Sequence, residues 1–201
     1  IGGTAYWRPI WQSKEGTVEA LSGRSTYRDH ETSALVADAV SALRLTRWDT
    51  LLDIGCAAGL MGKHLSKRVR RYVGLDYSEP SLRRFEGEPW RVCASAVELP
   101  FEAATFDKAL MSSVLLCLTV GEATKALLEM RRVTCSGGRG FCSGNADYGR
   151  KWAFDEPGLC WFRRDELTGL ARRCGWRWAA AVDAHPALPQ SSYQFDMLLE
   201  A

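Results

Sequence analysis

The stretch Leu51-Leu52-Asp53-Ile54-Gly55-Cys56-Ala57-Ala58-Gly59-Leu60-Met61-Gly62-Lys63-His64-Leu65 constrains this chain more than any other. It opens as a short apolar run, turns through small residues, and resumes at helical spacing. Leu60 and His64, like Met61 and Leu65, stand four apart and share a helical face. A strand that breaks through glycines straight into a helix is the opening turn of a nucleotide-binding α/β sheet. Small residues let the backbone pass close to a ligand with its amides turned outward. A dinucleotide fingerprint would need glycine at 55, 57 and 60, where this chain has Gly55, Ala57 and Leu60. That spacing argues against a nicotinamide dehydrogenase.

A second apolar strand, Arg71-Tyr72-Val73-Gly74-Leu75-Asp76, ends in an acid about 20 residues beyond Gly55, the separation expected of a ribose-binding carboxylate. Asp76 or Ser78 could equally cap a helix running through Pro80 to Phe85. The two roles are compatible, because strand end and helix start meet at one rim.

The run Asp53-x-Gly55-x-Ala57-x-Gly59 resembles motif I of the class I S-adenosylmethionine-dependent methyltransferases, acid-x-Gly-x-Gly-x-Gly, with Ala57 replacing the middle glycine. Two later segments carry the same resemblance. Ser95-Ala96-Val97-Glu98-Leu99-Pro100-Phe101 is similar to the family's Asp-Ala-x-x-Leu-Pro-Phe, with Ser95 in place of the acid. Glu129, Arg132, Val133, Gly137 and Gly138 meet its Glu-x-x-Arg-Val-x-x-x-Gly-Gly pattern. The resemblance spans about residues 30–200. It implies an α/β fold with a seven-stranded, mostly parallel sheet of order 3-2-1-4-5-7-6, strand seven antiparallel, and helices on both faces. It also implies S-adenosylmethionine as cofactor and methyl transfer by in-line displacement. Carried onto this sequence, Asp53 orders the turn and attracts the positive end of the cofactor. Gly55, Cys56, Ala57 and Gly59 form the turn, and Asp76 with Tyr77 meets the ribose. Ser95, Ala96 and Val97 approach the adenine, and Ser112 borders the cofactor at the end of the fourth strand.

The rest of the chain reads as one domain over residues 1–201: an N-terminal helical cap over 1–45, then the Rossmann-like α/β core over 46–201. Residues 1–30 look irregular, with Tyr6, Trp7, Trp11 and Tyr27 inserted and a short helix between Gly16 and Gly23. An amphipathic helix follows through Leu35, Val36, Ala39, Val40 and Leu43. Strands are expected at Arg91–Ala94, Phe106–Met111 and Gly140–Ser143. Thr119 and Glu122 form a capping box ahead of a helix. A long aromatic loop covers 144–162, and a helix stopped by Gly175 leads to two alternating strands, one through Trp176, Trp178, Ala180 and Val182, the other through Tyr193, Phe195, Met197 and Leu199.

A length of 201 residues suits one well-buried core. A net charge of +2, with no basic stripe interleaved with aromatics along the chain, gives no nucleic-acid partner. No run is long enough to span a membrane and no signal peptide is visible. Seven cysteines without paired or metal-type spacing suit a cytoplasmic protein with reduced thiols and no metal.

The acceptor is narrowed by absences. Met111-Ser112-Ser113-Val114 stands where amino-methylating nucleic-acid enzymes carry Asn/Asp-Pro-Pro-aromatic, and no Pro-Cys nucleophile is present. A small-molecule acceptor, or a sugar- or lipid-linked one, is expected. Tyr27, His30, Ser113 and Trp152 are its candidate contacts. No residue stands out as a general base. A non-catalytic cofactor-binding regulator and a protein methyltransferase are the alternative readings.

Overall fold

The computed structural model describes residues 3–21, 28–85, 90–146, 153–154, 158–184, 186 and 194–201. Its centre is a twisted sheet built on β1 (Thr50–Ile54), β2 (Arg71–Asp76), β3 (Trp90–Cys93), β4 (Phe106–Ser112) and β5 (Thr134–Ala146). These five run parallel in the order 3-2-1-4-5. β9 (Gln194–Glu200) then pairs antiparallel with β5, and β8 (Trp178–Asp183) pairs antiparallel with β9. Counting β8 and β9 as the sixth and seventh strands of the expected sheet, this is the order 3-2-1-4-5-7-6.

Alternation in the central strand separates two cores. Leu52 and Ile54 face the layer of α6 (Val120–Val133) and α7 (Arg164–Arg173), where Leu127, Met130, Leu167 and Trp176 are buried. Leu51 faces the opposite layer, made by α3 (Asp29–Leu43), α4 (Gly62–Leu65) and α5 (Glu79–Arg83), with Leu35, Ala39, Leu65 and Leu82. Every residue of β1 is buried, as a strand covered by helices on both faces must be.

Helix boundaries follow capping chemistry. The capping box at α6 forms as expected: the Glu122 amide donates to Thr119 Oγ1 at 3.3 Å and the Thr119 amide to Glu122 Oε2 at 2.8 Å. Gly175, at φ 89°, follows the end of α7.

Three expectations are corrected. The N-terminal segment is not irregular, since Thr4–Gln12 forms α1 with Pro9 inside it, followed by one turn, α2 (Val18–Leu21). The helix after the glycine turn is only α4, continued by a 3-10 turn at Ser66–Arg68. Leu60 and Met61 precede it. The aromatic loop contains a small hairpin of β6 (Ala153–Phe154) and β7 (Cys160–Trp161). Ala146 of β5 pairs with β9 on one side and with Trp161 on the other. β7 therefore takes the β4 side, beyond the last β4 partner at Ser112 and Ser143. No helix among the described residues is long and apolar enough to cross a membrane.

Candidate active site

The carboxyl ends of β1, β2 and β4 converge on one rim, and the turn after β1 forms its floor. Gly55 at φ 77° and Gly59 at φ 81° adopt the left-handed conformation that glycine takes without strain. Ala57 adopts it as well, at φ 48°, which costs about 1–2 kcal/mol for a residue with a Cβ. The turn is held from within. The amides of Gly55 and Cys56 donate to Leu75 O, at 2.6 and 3.0 Å, and that of Gly59 donates to Cys56 O at 2.9 Å. The Ala57 amide donates to Asp76 Oδ2 at 2.9 Å. These four donors face inward, so the turn is not the ring of outward amides that a phosphate would need.

The glycines are fixed by packing. A Cβ on Gly59 would meet the Phe85 ring at 2.6 Å, and one on Gly55 would meet Val114 Cγ2 at 2.4 Å. Phe85 is buried beside Tyr72, their rings 6.0 Å apart. Tyr72 in turn donates its hydroxyl to Asp53 Oδ2 at 2.6 Å, in the buried layer under α3. Burial, then the Asp53 charge, raises the Tyr72 pKa well above the usual value, so the phenol keeps its proton and remains a donor.

Asp76, 8% exposed, closes β2. Besides the Ala57 amide it accepts the Ser78 amide on Oδ1 at 2.8 Å. Burial pushes its carboxyl up, while the amides of Ser78, Ala57 and Tyr77 pull it down. Ser78 caps α5, its hydroxyl accepting from the Ser81 amide. Tyr77 is half-buried beside the acid. Ser95, Ala96 and Val97 lie in a tight turn closed by the bond from Glu98 N to Ser95 O at 3.2 Å. That turn is clamped from α6: Glu129 accepts the Leu99 amide at 2.8 Å, and Arg132 donates to the carbonyls of Leu99 at 3.0 Å and Phe101 at 2.7 Å.

On the far side of the rim, Ser112 and Ser113 leave β4. Ser143 Oγ lies 2.9 Å from Ser112 Oγ, and the Ser113 amide donates to Ser143 O at 2.9 Å. Ser113 is left-handed at φ 58°. Burial first and the Asp76 charge second push the thiol of Cys117, in the next turn, up to about 12. It is a neutral packing group and not a nucleophile.

Residues that sequence reasoning passed over complete the rim, and they come from α1. The Thr4 amide donates to both oxygens of Glu122, at 3.1 and 3.2 Å. Trp7 Nε1 donates to Gly158 O, just before β7, at 3.0 Å. Ser78 Oγ donates to Trp11 O at 2.9 Å. The Arg8 guanidinium lies 5.9 Å from the Tyr77 ring centre. α1 thus runs from the start of α6 to the start of α5, across the strand ends. The signal was present in the helical spacing of Trp7, Ile10 and Trp11, with Pro9 obscuring it.

Of the four acceptor candidates, His30 and Ser113 are among the described residues. His30 is exposed on α3, with Nδ1 3.3 Å from Glu31 Oε2. Ser113 lies on the rim. Tyr27 and Trp152 fall outside the described residues.

Residues 52–142 match the protein family described as a methyltransferase domain. An uncharacterised protein of Methanocaldococcus jannaschii is 35% identical over 92 residues, 44% of this chain. The match spans only 37% of that relative's length. Among solved structures, an S-adenosylmethionine-dependent methyltransferase of Leishmania major is 17% identical, covers 95% of this chain and 80% of its own, and superposes with a TM-score of 0.75. A protein described as the [4+2]-cyclase SpnF is 16% identical, covers 98% and 92%, and superposes at 0.68. Such likenesses establish the fold, which here serves more than one chemistry. Residues 52–142, which hold the turn, the β2 carboxylate and β4, thus match a methyltransferase domain, and the chain has the fold of solved S-adenosylmethionine-dependent methyltransferases.

Proposed function

We propose that this chain is a methyltransferase that moves a methyl group from S-adenosylmethionine to a small-molecule acceptor held beneath α1. The observation that carries the reading is the bond between Ala57 and Asp76, which joins the first turn to the second strand end within the matched domain. The residues fit the cofactor. The Ala57 amide lies on one Asp76 oxygen and the Ser78 amide on the other, and the carboxylate keeps acceptor capacity for a ribose hydroxyl. The inward amides of the turn suit a ligand without a pyrophosphate. Tyr77 would flank the ribose, and Ser95, Ala96 and Val97 the adenine. Ser112 and the Gly55–Gly59 turn, with Cys56 behind it, would border the amino-acid end, and Asp53 would act on the turn through Tyr72.

Bound there, the cofactor supplies an electrophilic methyl. The chain's share of an in-line displacement is to align an acceptor atom and keep water away. α1 and the β6–β7 hairpin are suited to this, because they lie beyond the strand ends and are joined through Trp7 and Gly158. Aromatic side chains on α1 cover area with little entropy loss. Ser113 lies on the acceptor side of the rim, and Tyr27, His30 and Trp152 remain acceptor candidates.

Calorimetry with S-adenosylmethionine and its demethylated product tests the cofactor assignment. Transfer of a labelled methyl across panels of small molecules, sugar- or lipid-linked compounds and proteins tests the acceptor. Absence of binding overturns the whole reading. Binding without transfer to any acceptor leaves a non-catalytic cofactor-binding regulator, and transfer to a protein side chain replaces the small molecule.

A further inference from the structure

The amino edge of the sheet, opposite Asp76, gathers residues that lie far apart in the chain. Trp48 precedes β1, Arg70 and Arg71 bracket the start of β2, and Trp90 opens β3. The amides of Arg70 and Arg71 donate to Asp49 O, at 3.0 and 3.4 Å, which locks the first two segments together. β3 pairs with β2 at Val73 and Trp90, two residues past Arg71. Both tryptophans stand in water, 68% and 63% exposed, the two most exposed large apolar side chains of the described residues. Each carries a guanidinium. Arg47 lies 4.6 Å from the Trp48 ring centre and Arg71 lies 4.8 Å from that of Trp90.

From residue 44 to the start of β2 the charge is largely uncompensated among the described residues. Residues 44–71 contain seven Lys and Arg against two Asp. One of these acids, Asp53, is buried on Tyr72. The other, Asp49, takes the Thr46 amide at 2.6 Å and lies 4.0 Å from Lys108. Arg44, Arg47, Lys67, Arg68, Arg70 and Arg71 are all exposed, and none pairs with a carboxylate among the described residues. The neighbouring His64 registers this field: after desolvation, Lys63, Lys67 and Arg68 lower its pKa.

We propose that this edge is a binding surface for single-stranded nucleic acid, with Trp48 and Trp90 as stacking platforms and the surrounding arginines and lysines as phosphate contacts. An unpaired base has a free face for an indole, and arginine adds a cation–π contact to the stack. Strands β1 and β3 flank β2, and the register sets Trp48 about four residues back from Trp90, so the two platforms are spaced by about 16 Å, a span for bases separated along a strand and not for one nucleotide. A duplex hides its base faces and would use the cations alone. An acidic peptide would also satisfy the cations, but it has no flat π-face for two exposed indoles. In the sequence the patch is split among three segments, so no continuous basic and aromatic run announces it. The surface lies across the sheet from the proposed cofactor site and is independent of that reading.

The test is fluorescence anisotropy with short labelled oligo-dT and oligo-U, competed by duplex DNA and by polyglutamate. Binding should weaken steeply with salt. Arg70→Ala with Arg71→Ala should flatten the logarithmic salt dependence by about 1.4, at roughly 0.7 per phosphate lost on a single strand. Trp48→Ala and Trp90→Ala should each weaken binding by about tenfold, with melting temperature and affinity for the demethylated cofactor unchanged. No binding at low salt overturns the proposal. So does binding that ignores both tryptophan changes, since that is charge attraction without stacking. Equal competition by polyglutamate would assign the surface to an acidic protein instead, and equal competition by duplex would remove the role of the tryptophans.

Discussion

Asp76 Oδ2 accepts the Ala57 amide at 2.9 Å, so the end of β2 and the turn after β1 form a single structural piece. On the proposed function, the turn lock and the ribose acceptor are the same carboxylate. Disturbing one disturbs the other.

Asp76→Ala should therefore have two effects. Loss of a charged acceptor should weaken binding of the demethylated cofactor by about 1.5–3 kcal/mol, read by calorimetry. The buried amides of Ala57 and Ser78 also lose their acceptor, which should lower unfolding free energy by about 1–3 kcal/mol. A variant that is less stable yet binds with full affinity would leave Asp76 as a turn lock alone.

Gly59 tests packing against ligand contact. Gly59→Ala adds a Cβ at 2.6 Å from the Phe85 ring and fixes an L side chain at φ 81°. The fold should lose about 1–3 kcal/mol from overpacking, with further loss from the left-handed backbone. Adding Phe85→Leu should recover part of the clash, so the double variant should be more stable than the sum of the singles by at least about 0.5 kcal/mol. Additive losses in denaturant melts would show that the ring is not the obstacle.

Much of the core was legible because its signals are local. The β1 run, the β2 run ending at Asp76, the Thr119–Glu122 capping box and the alternation of Phe195, Met197 and Leu199 each need only a short window, and each matches the described structure. What was hidden depends on partners far away in the chain. Nothing near Asp53 announces that Tyr72 will hold it, nor does anything near Gly59 announce Phe85. The first strand of the last pair, β8, departs more directly from its sequence pattern. Trp176, Trp178 and Val182 alternate as one apolar face in the sequence, yet Trp178 and Val182 are exposed and Ala179 is buried in the core. Trp176 precedes β8 and fills that space itself, its indole donating to Leu127 O at 3.2 Å.

The clamp of Arg132 on Leu99 and Phe101 explains why two separated motifs accompany each other. Arg132→Met should remove three donors and leave Glu129 with only the Leu99 amide. The Ser95–Phe101 turn should loosen, weakening the demethylated cofactor severalfold with a smaller loss of stability. Hydrogen exchange on and off the cofactor is the measurement. Unchanged protection of residues 95–101 would mean that the turn holds its shape without the clamp.

Docking of α1 should depend on acid pH through Glu122. Burial alone would raise this carboxyl, but the bonds from Thr119 and Thr4 outweigh it and hold the pKa below the usual glutamate range. A depressed native value contributes stability that is present above the unfolded value and lost as pH falls through the native one. α1 should therefore be docked at neutral pH and release only below the ordinary glutamate range. Glu122→Gln should remove that acid step. Tryptophan emission followed from pH 7 downward reads the release, and the same transition in both proteins would assign it to another group.

The last prediction concerns what α1 does when the site is filled. Trp7 links α1 to Gly158 before the hairpin, Trp11 O receives Ser78 beside Asp76, and Thr4 sits on Glu122, so three separate parts of the rim meet one helix. A ligand reaching the rim through the strand ends must either displace that helix or enter while it is open. If α1 closes over the cofactor, the demethylated product should protect residues 4–12 from limited proteolysis, because bound ligand favours the docked state by its differential affinity. Trp7→Phe keeps the ring but removes the indole donor, which should increase cleavage at α1 and raise cofactor dissociation without abolishing binding. The expected loss is about 0.5–1.5 kcal/mol, that of a hydrogen bond. Cleavage that ignores the ligand, together with an unchanged dissociation rate in Trp7→Phe, would make α1 a fixed wall of the pocket and leave closure to the hairpin.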